Sequence, residues 1–292
     1  MKYVLISNPL SGSYNHRVIT NFINKVKLYG IDVEDYKLKL NEMIFDVMLK
    51  LDDNTEYCLI FACGDGTINN AVNGIITRKD YSNIGITVLP MGTANVFALE
   101  LNIKSYKDTI RAIISKNIVK IPLMKISNKN EEKSKFFLSL ASIGIDSMVV
   151  HDINENLKKK IGRLAYIALF LQNVFKSNSI KLSTVIDDIR YDNVLTCICK
   201  GKYYGGRFKV AHNDLKNDDF DVIIIKKFRL SSSIRYYLTK KSSNVLLVTT
   251  KSVEIDGENG EYPVELDGDY FCCTPVTVLL ADKKIGVYRG RN

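Results

Sequence analysis

The chain has no C-x-x-C pair and only three histidines, scattered along 292 residues. Its six cysteines, Cys58, Cys63, Cys197, Cys199, Cys272 and Cys273, mostly sit in apolar, strand-like runs. A zinc site and a disulfide framework are therefore not expected, and a reducing cytosol suits the chain. There is no Pro-rich or Ser-rich linker, low-complexity tract or internal repeat. No uninterrupted apolar run is long enough to span a bilayer. The best candidate, residues 164–175, is too short and contains Gln172 and Asn173. The opening MKYVLISNPL has too little apolar length for a signal peptide and reads as a first strand. RNP, helix-turn-helix and zinc-finger signatures are also missing, so no nucleic-acid partner is expected. The net charge of +9 fits an anionic membrane surface, phosphorylated ligands or a Lys-rich composition alone.

What remains is ordinary globular material, 46% hydrophobic and 25% charged, long enough for two domains. The organising stretch is residues 57–74. An apolar run from Tyr57 to Cys63 has no helical period and stops at a glycine, which reads as a buried strand. Gly64-Asp65-Gly66-Thr67 follows. Ile68, Ala71, Val72 and Ile75 then recur at helical spacing. Strand, glycine turn and helix N-terminus make a phosphate-binding geometry, because glycine lets backbone N–H groups come close and the first helical turn has donors to spare. An acid in such a cradle implies a cation between it and the phosphates, as in a magnesium nucleotide. Taken alone, the turn fits equally well a plain strand-to-helix connection capped by Asp65 or Thr67. It is neither a Walker A loop nor a G-x-G-x-x-G fingerprint.

Two further polar turns follow strand-like runs. Residues 3–6 lead into Asn8-Pro9-Leu10-Ser11-Gly12-Ser13, before a helix over 17–28. Residues 84–89 lead into Pro90-Met91-Gly92-Thr93-Ala94-Asn95, before a helix starting with Phe97, Ala98 and Leu101. Between them, 31–38 reads as a strand and 41–51 as a helix with Met43, Phe45, Val47 and Met48 inward. Residues 109–115 are again helical. The expected first domain, 1–120, is thus a three-layer α/β nucleotide-binding domain with a mostly parallel sheet covered on both faces. In such sheets ligands bind at the carboxyl ends of strands, where all three turns lie. After Lys120 the runs 121–126, 135–142, 180–186, 193–200, 222–226, 244–249, 252–255 and 277–280 are β-like, with one helix over 162–175 behind Lys158, Lys159 and Lys160. This predicts an all-β, sandwich-like second domain over 121–280. Residues 281–292 are a tail expected to return to the first domain.

Near the end, Asp267 and Asp269 are two residues apart. On an extended segment they point to one side, where two carboxylates raise one another's proton affinity unless a cation intervenes. A carboxylate able to take a hydroxyl proton is what phosphoryl transfer to an alcohol requires. The same Asp-Gly pair also fits an exposed hairpin turn. Asp214, Asp218, Asp219 and Asp221 form an acidic loop that resembles neither an EF-hand nor a facial triad and reads from its residues as a solvated loop.

Together these motifs resemble the diacylglycerol kinase catalytic-domain family, which includes soluble bacterial lipid kinases and sphingosine and ceramide kinases, with NAD kinases as distant relatives. The matching residues are Asn8-Pro9 with Ser11-Gly12; Gly64-Asp65-Gly66-Thr67-Ile68-Asn69 with Val72-Asn73-Gly74; and Pro90-Met91-Gly92-Thr93-Ala94-Asn95 with Phe97-Ala98. Tyr204-Gly205-Gly206-Arg207-Phe208 and Leu266-Asp267-Gly268-Asp269 complete a set that runs in the family's order over nearly the whole chain. The resemblance implies a nucleotide domain and a β-sandwich with the active site between them. It implies ATP held by Asn8, Pro9, Ser11, Gly12, Gly64, Asp65, Gly66, Thr67, Asn69, Asn70, Gly92, Thr93 and Asn95. Asp267, Asp269 and Asp65 are the implied catalytic carboxylates. A structural Mg²⁺ is implied in the acidic loop, on the carbonyls of Leu215 and Phe220 and the carboxylate of Asp218. The chain departs from the family pattern at Ser13, Cys63, Val96 and Asp269, and the loop after Gly206 carries Ala211, His212 and Asp218-Asp219.

The implied function is an ATP- and Mg²⁺-dependent lipid kinase, cytoplasmic and peripheral on the inner membrane face. It would phosphorylate diacylglycerol, a sphingoid base or ceramide, and the helix behind Lys158 reads first as a cover for the second sheet and second as a membrane-docking element. A homodimer stays open. An NAD-kinase-like activity shares the Gly-Asp-Gly-Thr turn, but the Asn-Pro start and the late Leu-Asp-Gly-Asp argue against it. A nucleotide- or lipid-binding regulator without turnover is the third reading, motivated by Ser13, Val96 and Asp269.

Overall fold

The apolar runs of the first 120 residues become strands wherever they are buried on both sides. In the computed structural model, which describes residues 1–128, 130–145, 147–148, 179–227, 229–239 and 241–290, β1 (Lys2–Ser7), β2 (Val33–Lys37), β3 (Tyr57–Ala62) and β4 (Ile84–Val88) lie in the order β2-β1-β3-β4. Every neighbouring pair is parallel. β3 and β4 are buried at every position, which explains their unbroken apolar character. The helix expected over 162–175 and the lysines before it lie outside the described residues.

The chain divides into two units: Met1–Leu123 with Gly205–Arg207 and Asp282–Asn292, and Met124–Tyr204 with Phe208–Ala281. In the first unit, Gly286 and Val287 pair in parallel with Gly85 and Ile86, so the chain's end extends the sheet beyond β4. Five helices belong to this unit: α1 (His16–Lys27), α2 (Ile44–Leu49), α3 (Asp65–Thr77), α4 (Val96–Glu100) and α5 (Tyr106–Ser115). Asn15 caps α1 by accepting from the N–H groups of Arg17 and Val18, and a Ser105–Asp108 capping box starts α5. α2 is shorter than the pattern suggested and its face is shifted. Ile44 and Met48 are its buried residues, whereas Met43 precedes the helix and is 58% exposed. So short a helix needs anchoring at its end. The buried Arg78 guanidinium donates to the carbonyls of Met48, Leu49 and Leu51 and pairs with Asp53.

α2 packs against α3 across Gly74. A Cβ there would lie 2.6 Å from the Phe45 carbonyl oxygen and 2.9 Å from the Met48 Cβ. The backbones can approach this closely only without a side chain. Gly74→Ala is therefore expected to destabilise the protein by about 1–3 kcal/mol, the usual cost of overpacking, despite alanine's better helix propensity. Chemical denaturation checks this. A variant as stable as the parent would mean that α2 yields without cost.

Among its described residues the second unit is mostly β. A six-stranded antiparallel sheet runs β14-β13-β10-β7-β16-β17, built from β7 (Leu140–Gly144), β10 (Leu195–Cys199), β13 (Phe220–Ile225), β14 (Val245–Thr250), β16 (Pro263–Leu266) and β17 (Asp269–Cys273). β5 (Ile118–Asn128) begins in the first unit and pairs here with β6 (Lys133–Phe137). β8 (Leu182–Ile186), β9 (Ile189–Asn193), β15 (Ser252–Gly257) and the first part of β18 (Val276–Tyr288) form a further antiparallel layer. Ala141, Ile143, Ile198, Val222 and Val264 of the six-stranded sheet share one apolar core with Leu182, Val253, Ile255 and Val278, as in a sandwich.

Short β11 (Tyr203–Tyr204) and β12 (Phe208–Lys209) and the helix α6 (Leu230–Thr239) have no counterpart in the sequence reading. The strand expected over 193–200 is β10, whereas that expected over 135–142 is two strands, β6 and β7. The break at Leu138 and Ser139 has a chemical cause: an aspartate draws their amides away from the ladder.

Candidate active site

Because β1, β3 and β4 are adjacent and parallel, the three polar turns that follow them leave the sheet on one edge. Their contacts are direct. The Asn8 N–H donates to the Ala62 carbonyl at 3.3 Å, while its side-chain oxygen accepts from Leu10 N–H at 2.9 Å and closes the first turn. Ser13 N–H donates to the Met91 carbonyl at 3.3 Å, and a Cβ on Gly12 would sit 3.4 Å from the Thr93 hydroxyl. The first turn thus touches the third. The second touches it too, since a Cβ on Gly92 would meet Gly64 Cα at 2.6 Å.

The second turn opens α3. Gly64 is its N-cap, and the first intrahelical bond runs from Ile68 N–H to the Gly64 carbonyl. The N–H groups of Gly66 and Thr67 therefore have no partner within the helix and carry the positive end of its dipole. Asp65 was expected to face phosphates across a metal. Its carboxylate instead accepts from the N–H groups of Val96 and Phe97, each at 3.1 Å, and so caps α4. Enclosure pushes the Asp65 carboxyl above its ordinary range, against the pull of the amides of Phe97, Val96, Asn95 and Asp65 itself.

Asn95, in the left-handed region at φ 52, accepts from Gly92 N–H at 2.7 Å and donates to the Gly92 carbonyl at 2.8 Å. Its amide is committed to holding the third turn. Asn69 was expected at the ligand. It is 1% exposed, with its Oδ1 accepting from Asn73, so its side chain belongs to the inner face of α3. Pro9, Gly12 and Thr93 are exposed, while Asn8, Ser11, Gly64, Gly66, Thr67 and Asn70 are half-buried. Cys63, in place of a glycine, is buried, and burial first, then the Asp65 charge, push its thiol far up, so it stays protonated and inert.

In the second unit Asp267 and Asp269 do not lie on one extended segment. Leu266 pairs with Asp269, and Asp267-Gly268 is the two-residue turn between β16 and β17, with φ of 48 and 95. The hairpin alternative is right about the backbone and wrong about exposure. Asp267 is 6% exposed, and its carboxylate accepts from Leu138 N–H at 2.9 Å, Ser139 N–H at 3.0 Å and Leu140 N–H at 2.9 Å. These bonds are what break the 135–142 strand. Asp269 is half-buried at the start of β17. Two partners were not foreseen. Buried Glu265 accepts from the Ser142 hydroxyl and from Gly268 N–H, fixing the turn. Lys135 has its amine lowered by burial and held up in part by the charges of Asp269 and Asp267. Glu265 could have been found as the alternate position before Asp267 on an inward-facing strand. Lys135 carries no signal in its surroundings.

The expected magnesium loop is tied by its own chain. Leu215 and Phe220 are buried and Asp218 is exposed. The Lys200 ammonium donates to the carbonyls of Asn217, at 2.5 Å, and Asp219, at 2.8 Å. Asp221 accepts from the N–H groups of His212 and Asn213 and from the Thr249 hydroxyl. Among the described residues no cluster of three His, Cys, Asp or Glu could hold a metal. The carbonyls that Lys200 holds are not those of Leu215 and Phe220 that the resemblance implies for magnesium, but they put a positive charge of the chain in the same loop.

Comparison with known proteins gives a consistent answer over the whole chain. Residues 2–126 match the model of the diacylglycerol kinase catalytic domain, and residues 139–289 that of the YegS C-terminal NAD kinase beta sandwich-like domain. A diacylglycerol kinase of Staphylococcus epidermidis is 26% identical, covering 99% of this chain and 92% of its own length. One of Staphylococcus carnosus is also 26% identical, covering 99% and 95%. The crystal structure of a diacylglycerol kinase from Bacillus anthracis superposes with a TM-score of 0.72 at 18% identity, covering 99% and 97%. An NAD kinase from Archaeoglobus fulgidus, in complex with ATP, gives 0.55 at 12% identity, covering 99% and 94%. At such identities the two structures speak for the fold.

Proposed function

The chain belongs to the diacylglycerol kinase catalytic-domain family, with an NAD-kinase-like β-sandwich as its second half, and from that membership we propose that it transfers the γ-phosphate of ATP to the hydroxyl of a membrane lipid, diacylglycerol first. The observation that carries this reading is the joining of three strand-end turns into one cradle through Gly12–Thr93, Gly64–Gly92 and the Asp65 clamp on α4. Such a cradle suits a polyphosphate. The Gly66 and Thr67 N–H groups at the α3 N-terminus, with the hydroxyls of Ser11 and Thr93, are its phosphate donors. Asn8, Asn95 and Asp65 hold the turns in place. Asp65, already bonded to backbone amides, is a positioning residue and takes no metal. The Mg²⁺ that accompanies ATP neutralises charge on the phosphates.

The second unit supplies the proton acceptor. Asp267, held by three amides, is a fixed carboxylate suited to take the proton of the acceptor hydroxyl. Asp269 and Lys135 set the charge around it. The basic chain, with no helix among the described residues long and apolar enough to cross a membrane, suits a protein that meets its lipid at an anionic inner surface.

The test is incubation with ATP and Mg²⁺ over mixed micelles of diacylglycerol, a sphingoid base or ceramide. Phosphorylated diacylglycerol is the expected product. A folded protein that phosphorylates none of the three, or that phosphorylates NAD instead, contradicts the reading.

A further inference from the structure

We propose that the ammonium of Lys200 is the resident cation of the 213–221 loop, so that this loop is closed by a charge the chain carries itself and needs no divalent ion. Lys200 directly follows β10 and is 0% exposed. Its Nζ donates to the Asn217 carbonyl at 2.5 Å and the Asp219 carbonyl at 2.8 Å. The Asp219 carbonyl also accepts from Asn213 Nδ2 at 2.8 Å. Carbonyl oxygens gathered in a loop repel one another unless a positive group lies between them. A buried ammonium is equally costly unless oxygens surround it. Each solves the other's problem.

Asp219 Oδ1 is buried without a hydrogen-bond partner, on the residue whose carbonyl the ammonium holds. Asp221 holds the other side of the loop through His212, Asn213 and Thr249. A divalent ion on the Leu215 and Phe220 carbonyls would share the loop with the ammonium as a like charge. The carboxylate such an ion would use, Asp218, is exposed.

The position of Lys200 also ties the loop to the proton acceptor. Its backbone N–H donates to the Ser139 carbonyl at 2.9 Å, and Ser139 N–H donates to Asp267. Lys200 is thus a positioning residue, holding the acidic loop with its side chain and the amides that grip Asp267 with its backbone.

Amide hydrogen exchange of residues 213–219 in the intact chain, without nucleotide, reads this directly and requires no phosphate transfer. Protection equal in EDTA and in millimolar MgCl₂ is expected for the parent and for Asp218→Asn. Lys200→Met keeps the stem and removes the charge. It is expected to speed exchange at 213–219 by about tenfold or more, with β7 affected less. Protection that falls in EDTA, or that Asp218→Asn abolishes, overturns the proposal and assigns the loop to a divalent ion. A folded Lys200→Met protein with unchanged protection overturns it as well. Should Lys200→Met not fold, the chelator and Asp218→Asn results decide.

Discussion

Asp267→Asn is expected to lower kcat for lipid phosphorylation by about 10²–10⁴-fold, the range that a positioned general base contributes. ATP affinity should be unchanged, because no nucleotide contact is assigned to the second unit. The substitution also has a structural cost. An asparagine offers one oxygen where Asp267 uses two, so an NH₂ group would face one of the amides of Leu138, Ser139 and Leu140. Leaving one buried donor unsatisfied costs about 1–3 kcal/mol. The decisive measurement is therefore kcat at a temperature where circular dichroism shows the variant folded. A folded variant that retains nearly full kcat would move the base to another residue, Asp269 first.

The second large effect is expected at Gly92. Alanine there would place its Cβ 2.6 Å from Gly64 Cα and 3.0 Å from the Asn95 side-chain oxygen. The first obstacle is backbone and cannot swing away, so the second and third turns must part. Forced separation of this kind costs about 1–3 kcal/mol, which as lost binding energy is roughly a 5- to 150-fold weaker nucleotide. Gly92→Ala is expected to raise the KM for ATP by that factor and to leave the KM for lipid alone. Calorimetric titration with a nonhydrolysable ATP analogue checks it. Unchanged affinity would mean that the cradle does not depend on the approach of these two turns.

The parallel half of the fold was legible because its strands are buried on both faces and end in glycine-rich turns. Residues 57–62 and 84–88 announce themselves by apolar runs, and Gly64, Gly92 and Asn95 by the turn chemistry around them. The roles of individual side chains were harder to read. Asp65 looks like a metal ligand from its neighbours in sequence, yet its partners are thirty or so positions away, at the start of α4. Asp267 looks like an exposed hairpin residue because Asp-Gly turns usually are, and its burial depends on amides more than a hundred residues earlier.

The acidic loop shows the same limit from the other side. Four aspartates within eight residues suggest a cation, and a cation is there, but it is the ammonium of Lys200, contributed by the end of another strand. Local pattern states which charges are present. Which of them meet is settled by long-range pairing, in this case the alignment of β10 between β7 and β13.

The central claim is that a phosphate leaves ATP for a lipid hydroxyl. ATP labelled with heavy oxygen in its γ-phosphate, incubated with the purified protein, Mg²⁺ and diacylglycerol micelles, follows that group by mass spectrometry of the extracted lipid. Phosphatidate carrying the heavy oxygens, formed by the parent and nearly lost in Asp267→Asn, is the predicted result. Label that stays in ATP, or appears only in free phosphate while the protein remains folded, would contradict it.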